Sequence, residues 1–484
     1  MGQCYITRRG TKTGGAVEQL GVYPTGNDGR PIGNVTVLDN VTTLSKYLFT
    51  ENSNILSVAL PQNLRDLDDY CFQNCTSLQS ISLSNKIDTI PQYCFSGCNS
   101  LSKVVLPKNL YVIEGYAFRD CTGLYDVIIP DEIKSLEIKG YAFSGCTNID
   151  NETVTKLSSL THGTIYSHTF ANLKGITEIT TLYSYDYYFY GCTNLRKVII
   201  LNSLSDGSCG SYVFNGCTNL REVVLPNDIQ KIKANMFNGN SNLSTINFPN
   251  TITEIGESAF RYCTKLLNLD IPDDSSFSIN GNYVFASTGI TNECAKNIIS
   301  HANSVGSYVF QSCLSLTDVE VPIFSSYMFN NCTNLKSAIS TQAMNTTGNE
   351  VFYGCTALER AIVADGTTTI GYCIFDGCKA LKYVYLPSSI TTATNNSLTN
   401  TSSSYYAFYN CTALEDVQLG QDWNMSLRLN VSNNLTVDSM VAMFNSLKDL
   451  TSETAKTLTL GSTNLAKLTD EQKAIAINKN WTLA

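Results

Sequence analysis

A chain of 484 residues exceeds what one compact core normally holds, so several domains or one elongated array is expected. Charged residues are sparse at 15% and the formal net charge is −9, which excludes nucleic acid as a partner because phosphate binding needs clustered Lys and Arg. No apolar run approaches the roughly 18 residues a membrane span requires, and the start MGQCYITRRGTKTGG lacks the apolar core of a secretory signal, so folding in a reducing cytoplasm is expected.

Residues 1–45 are turn-forming and Gly-rich, as in RRGTKTGGAV and YPTGNDGRPIG, and suit a flexible linker or an arm that anchors the protein to a partner. From residue 46 the chain repeats. Phe recurs at 49, 72, 95, 118, 143, 170, 189, 214, 237, 260, 285, 310, 329, 352, 375 and 408, most often 23 residues apart. Three residues after Phe stands Cys at 75, 98, 121, 146, 192, 217, 263, 313, 332, 355, 378 and 411. Leu173, Asn52, Asn240 and Thr288 take that position in the other rungs. An apolar run follows, such as LSKVVLPKNLYVI, and a period of 20–29 residues with this pattern signals a leucine-rich solenoid. Each Leu-x-x-Val-x-Leu-Pro segment reads as one short strand with alternating inward side chains, ended by a proline that has no N–H to give the ladder. One coil cannot cover its own apolar face, so about sixteen rungs must stack over residues 46–423. At roughly 4.8 Å per rung they would make a rod about 75 Å long.

Two segments break the pattern, NIDNETVTKLSSL (148–160) and GITNECAKNIISHA (289–302), and both read as short helices from apolar spacings of three and four. They lie in two six-rung blocks, Phe118–Phe237 and Phe260–Phe375, offset by 138–142 residues, which points to an internal duplication. The breaks either bend and decorate the solenoid or are insertions tolerated on its convex side. NLTVDSMVAMFNSL (434–447) is similar and opens the segment 424–484, read as helix, strand KTLTLG and helix, with Thr469 as an N-cap. That segment would cover the last exposed rung.

The cysteines admit three readings. Equivalent positions on stacked strands lie roughly 4.8 Å apart, whereas a disulfide wants Cβ atoms about 3.8 Å apart. Metal binding has only Cys-x3-Cys spacing, at Cys71/Cys75 and Cys94/Cys98, with three histidines at 162, 168 and 301. Small buried hydrophobes in a structural ladder remain the preferred reading.

The segments YAFRDCTGL (116–124), YAFSGCTNI (141–149) and YAFYNCTAL (406–414) resemble the hallmark of the BspA-like leucine-rich repeat family, a likeness that covers residues 45–420. The resemblance implies an α/β-type repeat solenoid with a parallel β-sheet on its concave face. It also implies a surface-exposed, non-enzymatic binding protein of bacteria, some protists or their phages. The last stretch, TLTLGSTNLAKLTDEQKAIAINKNWTLA, is similar to C-terminal segments of phage and prophage structural proteins.

Motifs for catalysis, cofactor or metal binding are not found: there is no Gly-x-Ser-x-Gly, no phosphate loop and no His-Glu-x-x-His. The outward strand positions, free to vary without disturbing the core, are the expected recognition surface. Asp318, Glu320, Arg360, Tyr383 and Tyr385 are singled out there, because aromatic rings beside acids suit glycans or protein loops. The Tyr-rich LYSYDYYFYG (182–191) is a second candidate patch. The expected function is a virion-associated tail or capsid protein of a phage or prophage. It would bind a bacterial surface protein or glycan, or another virion subunit, and a homo-oligomer is possible. The alternative is a cell-surface adhesin.

Overall fold

The computed structural model describes residues 21–22, 32–161, 166–399 and 406–484. Most of the arm expected over 1–45 therefore lies outside the described residues. The chain divides into two units, Met1–Ile229 with Asn235–Asn247, and Gln230–Ala234 with Phe248–Ala484.

The first unit stacks coils whose strands run parallel and in register. Gly33–Val37, Ile55–Ala59, Ser80–Ser82, Lys103–Val105 and Asp126–Ile128 form one sheet, edged by Gly21–Val22 in antiparallel orientation. Glu178–Thr181, Lys197–Ile200, Glu222–Val224 and Thr245–Ile246 form the next. Alternation decides which side chains enter the core: Ile81 is buried between exposed Ser80 and Ser82, and Val104 is buried beside exposed Lys103. A second limb of the coils supplies two-residue strands such as Thr89–Ile90, Val112–Ile113 and Glu137–Ile138, also parallel. The strand Gly33–Val37 lies inside the segment read as an arm, with Val35 and Val37 buried, so coil structure begins upstream of residue 46.

The second unit repeats the design. Asp318–Val321, Ser337–Ser340, Arg360–Ile362, Tyr383–Leu386 and Asp416–Leu419 form a five-stranded parallel sheet. The other limb holds Lys231–Ile232, Glu254–Ile255, Phe277–Ile279 and Ala302–Val305. Each segment expected to be helical carries a helix: α1 (Asn151–Leu160), α2 (Asn292–Ser300) and α3 (Val437–Ser446). Asp150, Thr291 and Thr436 cap them, each side chain accepting a backbone N–H three residues on. The chain ends with α4 (Ser462–Leu465), α5 (Asp470–Ile477) and a three-stranded parallel sheet of Leu427–Arg428, Lys456–Thr459 and Trp481–Leu483. Thr469 and Gln472 close a reciprocal capping box at α5. The Lys479 ammonium donates to the carbonyls of Phe444, Asn445 and Leu447, satisfying the C-terminal end of α3.

The turn around each Phe explains the repeat. Phe72, Phe95, Phe118 and Phe143 are fully buried and stack with ring centroids 5.3 Å apart. In the second unit Phe329, Phe352 and Phe375 stack at 5.8 and 5.7 Å. Two left-handed residues flank each of Phe72, Phe95, Phe118 and Phe143, one two places before the ring and one two places after it. The position two after it holds Asn74, Gly97, Asp120 or Gly145, residue types that tolerate φ near +60 to +77°. The Gly97 site has a further need for glycine, because a Cβ there would meet the Asn74 Oδ1 at 2.2 Å.

The cysteine three residues after Phe is more than a small hydrophobe. Its thiol donates to the carbonyl of the Phe one coil earlier: Cys75 to Phe49 at 3.1 Å, Cys98 to Phe72 at 3.1 Å and Cys121 to Phe95 at 3.0 Å. In the second unit Cys332 donates to Phe310 at 3.1 Å and Cys355 to Phe329 at 3.0 Å. A carbonyl can accept two bonds, and the backbone N–H of Cys75 already uses one on Phe72, so the Cys98 thiol takes the second. A short side chain with one donor and an otherwise apolar body meets both demands of this slot, which Cys fills in twelve of the sixteen rungs. Burial pushes the Cys75 and Cys355 thiols up to about 12 and keeps them protonated.

Candidate binding face

The five residues singled out from sequence come together on the outward face of one sheet. Parallel register places Asp318, Ser337, Arg360, Tyr383 and Asp416 in one column across the strands. Glu320, Ile339, Ile362, Tyr385 and Gln418 form the column beside it. The acidic pair and the tyrosine pair are thus three strand spacings apart, roughly 14 Å. Ile339 and Ile362 lie half-buried between them.

Neighbours hold the side chains in place. The Arg360 guanidinium stands over the Tyr383 ring, 5.1 Å from its centroid. The Tyr385 hydroxyl donates to Asp365 at 2.6 Å, and burial together with that bond raises the phenol to about 12. Lys296, on α2, pairs with Glu320 at 3.7 Å. Asp365 and Lys296 are partners the sequence did not reveal, since they come from a turn and a helix outside the strand pattern.

At the acidic end α2 makes a step against the sheet. Asn292 locks the step: its Oδ1 accepts from the Thr317 N–H and its Nδ2 donates to the Thr317 hydroxyl, both at 3.0 Å. A concavity of about 250 Å³ results, lined by Glu293, Lys296, Asp318, Glu320, Ser337 and Ile339. The first unit carries the same step. There Asn151 bridges to Thr177 at 2.8 and 3.2 Å, and Glu178, Thr180, Lys197 and Ile199 line a concavity of about 270 Å³. The duplicated blocks therefore place two equivalent steps, each beside the helix that interrupts a block. The charges differ between them: in the first the strand residue Lys197 pairs with Glu222 at 2.8 Å and Thr155 takes the helix position that Lys296 holds in the second.

The Tyr-rich stretch 182–191 does not form an open patch. Tyr185 and Tyr188 are buried, with their rings edge-on at 5.4 Å. Its Tyr187 instead belongs to a feature the sequence reading missed. Two residues before the first eight Phe of the register stand Tyr47, Tyr70, Tyr93, Tyr116, Tyr141, His168, Tyr187 and Tyr212, whose rings stack face to face with centroids 4.2–4.9 Å apart. All adopt φ between +56° and +63°, a region costly for a residue with a Cβ. The signal was present as Tyr-x-Phe, but a tyrosine packed between coils leaves the same mark.

No group of three or more His, Cys, Asp or Glu side chains among the described residues is placed to hold a metal ion. No helix among them is long and apolar enough to cross a membrane.

Comparison with solved structures finds a leucine-rich repeat protein from Bacteroides ovatus, 22% identical, with 86% of this chain and 93% of that one covered and a TM-score of 0.46. A leucine-rich cell surface protein from Faecalibacterium prausnitzii is 20% identical over 84% of this chain and 95% of that one, with a TM-score of 0.35. No curated protein matches the sequence. The family model described as a BspA type leucine-rich repeat region matches residues 28–150, 136–209, 183–317, 303–405 and 324–451, with six copies. Coils, Phe turns and parallel sheets are thus accounted for together: the chain belongs to the BspA-type leucine-rich repeat family.

Proposed function

We propose that this chain is a non-enzymatic binding protein that engages its ligand through the outward face of the sheet spanning 318–419. The observation that carries this is register: Asp318, Glu320, Arg360, Tyr383 and Tyr385, far apart in sequence, occupy two adjacent columns of one surface. A strip running from carboxylates through isoleucines to tyrosines suits an extended protein segment or glycan, with a polar or cationic group at the α2 step and a flat face on the rings. The equivalent step beside α1 would make binding bivalent toward a repetitive ligand.

The finer reading is a virion-associated tail or capsid protein of a phage or prophage, with residues 1–45 as its anchor to other subunits. Its support is the likeness of residues 457–484 to phage structural proteins. A cell-surface adhesin is the second reading, supported by the similarity to a cell surface protein of F. prausnitzii.

The face is tested by binding of purified chain to bacterial cells and to a glycan array. Tyr383→Ala with Tyr385→Ala should abolish binding, whereas Lys134→Ala, away from that sheet, should leave it intact. Equal binding by both variants refutes the face. The setting is tested by fractionation of an induced culture. Recovery with virions, lost on removal of residues 1–31, supports the first reading, and recovery with cell envelopes supports the second.

A further inference from the structure

The tyrosine ribbon is more than its packing requires. The buried Phe column already joins the coils, yet a second aromatic column runs beside it, half-exposed, and holds each of its members in left-handed backbone. From Tyr47 to Tyr141 the centroids lie 4.9, 4.8, 4.5 and 4.7 Å apart, and the planes differ by 28° at the first step and by 5–9° at the others. Neighbouring π systems are therefore in van der Waals contact, face to face. One residue interrupts the phenols. His168 keeps the stack, 4.2 Å from both Tyr141 and Tyr187, but its imidazole is harder to oxidise than a phenol.

We infer that the Tyr47–Tyr141 run conducts a one-electron oxidation along the surface of the first unit, and that His168 is where conduction stops. A one-electron oxidant of the ruthenium(III) tris-diimine class takes an electron from one phenol and is reduced to ruthenium(II), while the O–H proton passes to water and leaves a neutral tyrosyl radical. The adjacent tyrosine then supplies an electron to that radical, which regains a proton from water, while the donor loses its own proton. Each hop exchanges a radical for an identical radical, so it costs little free energy, and overlapping rings make it fast. The ladder thiols compete poorly, since Cys98 and Cys121 are held protonated by burial and donate to the carbonyls of Phe72 and Phe95.

The test places the oxidant at one end. Lys46 lies 5.4 and 5.2 Å from the Tyr47 and Tyr70 centroids, so Lys46→Cys in a Cys4→Ser chain accepts a ruthenium(II) tris-diimine label beside them. Replacing Lys46 removes an exposed pair with Asp69 and the ammonium's contacts with these two rings, and leaves the rings' own stacking in place. Light and a cobalt(III) ammine chloride generate ruthenium(III), the cobalt being reduced to cobalt(II). A nitroso spin trap then marks radicals, and tandem mass spectrometry maps them. Adducts are expected at Tyr93, Tyr116 and Tyr141 as well as beside the label, with few at Tyr187 and Tyr212. Tyr93→Leu should remove those at Tyr116 and Tyr141, and His168→Tyr should extend them to Tyr187 and Tyr212. Adducts confined to Tyr47 and Tyr70 overturn the inference. So does a distribution that neither substitution changes in chains whose circular dichroism matches the parent.

Discussion

Replacing Asn240 by Cys should stabilise the first unit, and the reasoning can be carried to a number. Asn240 occupies the ladder position three residues after Phe237, is fully buried, and neither its Oδ1 nor its Nδ2 has a hydrogen-bond partner among the described residues. A buried polar group left unpaired costs about 1–3 kcal/mol. Cysteine has nearly the same volume, so no cavity opens, and its thiol would donate to the Phe214 carbonyl as Cys217 does to Phe189 at 3.2 Å. Relief of the amide alone predicts a gain of about 1–3 kcal/mol. Coils exchange stability mainly with their neighbours, so the gain is best read locally. Hydrogen exchange of a peptide spanning 235–247 should slow by about 5- to 150-fold. Asn240→Ala, which removes the amide without supplying a donor or filling the space, should recover less. Exchange in Asn240→Cys as fast as in the parent would show that the amide is satisfied and that the ladder argument fails at this rung.

Phe118→Ala should cost about 3–5 kcal/mol, and exchange should loosen the coils around Phe95 and Phe143 before distant ones. The ladder thiols should resist alkylation at pH 8 until denaturant is added, and non-reducing mass spectrometry should find no rung-to-rung disulfides. Because burial raises folded Cys75 and Cys355 to about 12 from an ordinary 9.0, the unfolded chain loses these protons first. Stability should therefore be intact below pH 9 and fall as pH rises from 9 toward 12, and a flat alkaline profile would refute the protonated ladder. Asp376 is raised to about 6, by burial first and by the charge of Glu350 second, so its ionisation destabilises the folded state increasingly from about pH 4 to pH 6. Asp376→Asn should raise the melting temperature at pH 7 and leave it nearly unchanged at pH 4; Tyr406 and Cys411 stay protonated over this range, and a Glu350→Gln control removes the contribution of Glu350. An equal effect at both pH values would point to lost contacts instead of charge.

Much of this architecture is legible in the sequence because periodicity transmits burial directly. The Phe and Cys registers fix which side chains turn inward, and spacings of three and four mark α1 and α2 against that background. Outward strand positions follow from alternation alone, so Asp318, Arg360 and Tyr383 could be placed on one surface before any coordinates. Other features depend on interactions that leave no period. The thiol bond to a Phe carbonyl involves backbone, which residue types do not report. The strand Gly33–Val37 hides its alternation behind Gly-rich neighbours. The tyrosine ribbon requires left-handed backbone at residues that seldom adopt it, and no propensity argument nominates a tyrosine there. Lys296 reaches Glu320 only because α2 is seated on the sheet through Asn292.

The turn around each Phe also separates what can vary in this chain from what cannot. The coil from Phe310 to Phe329 takes 19 residues and the coil from Phe375 to Phe408 takes 33, yet the rings end 5.8 and 5.4 Å apart. Between Phe and the ladder position there are always two residues, one of them left-handed, whatever the length of the rest. The turn thus acts as a fixed gauge and the remaining arc as adjustable slack. Length changes can accumulate in the arc, beyond the strand, without shifting the core by a fraction of a coil. A single residue gained or lost between Phe and Cys would break the left-handed position that follows Phe and the thiol bond at once. Surface diversity in such a chain is therefore cheap along the arc and nearly forbidden at the turn.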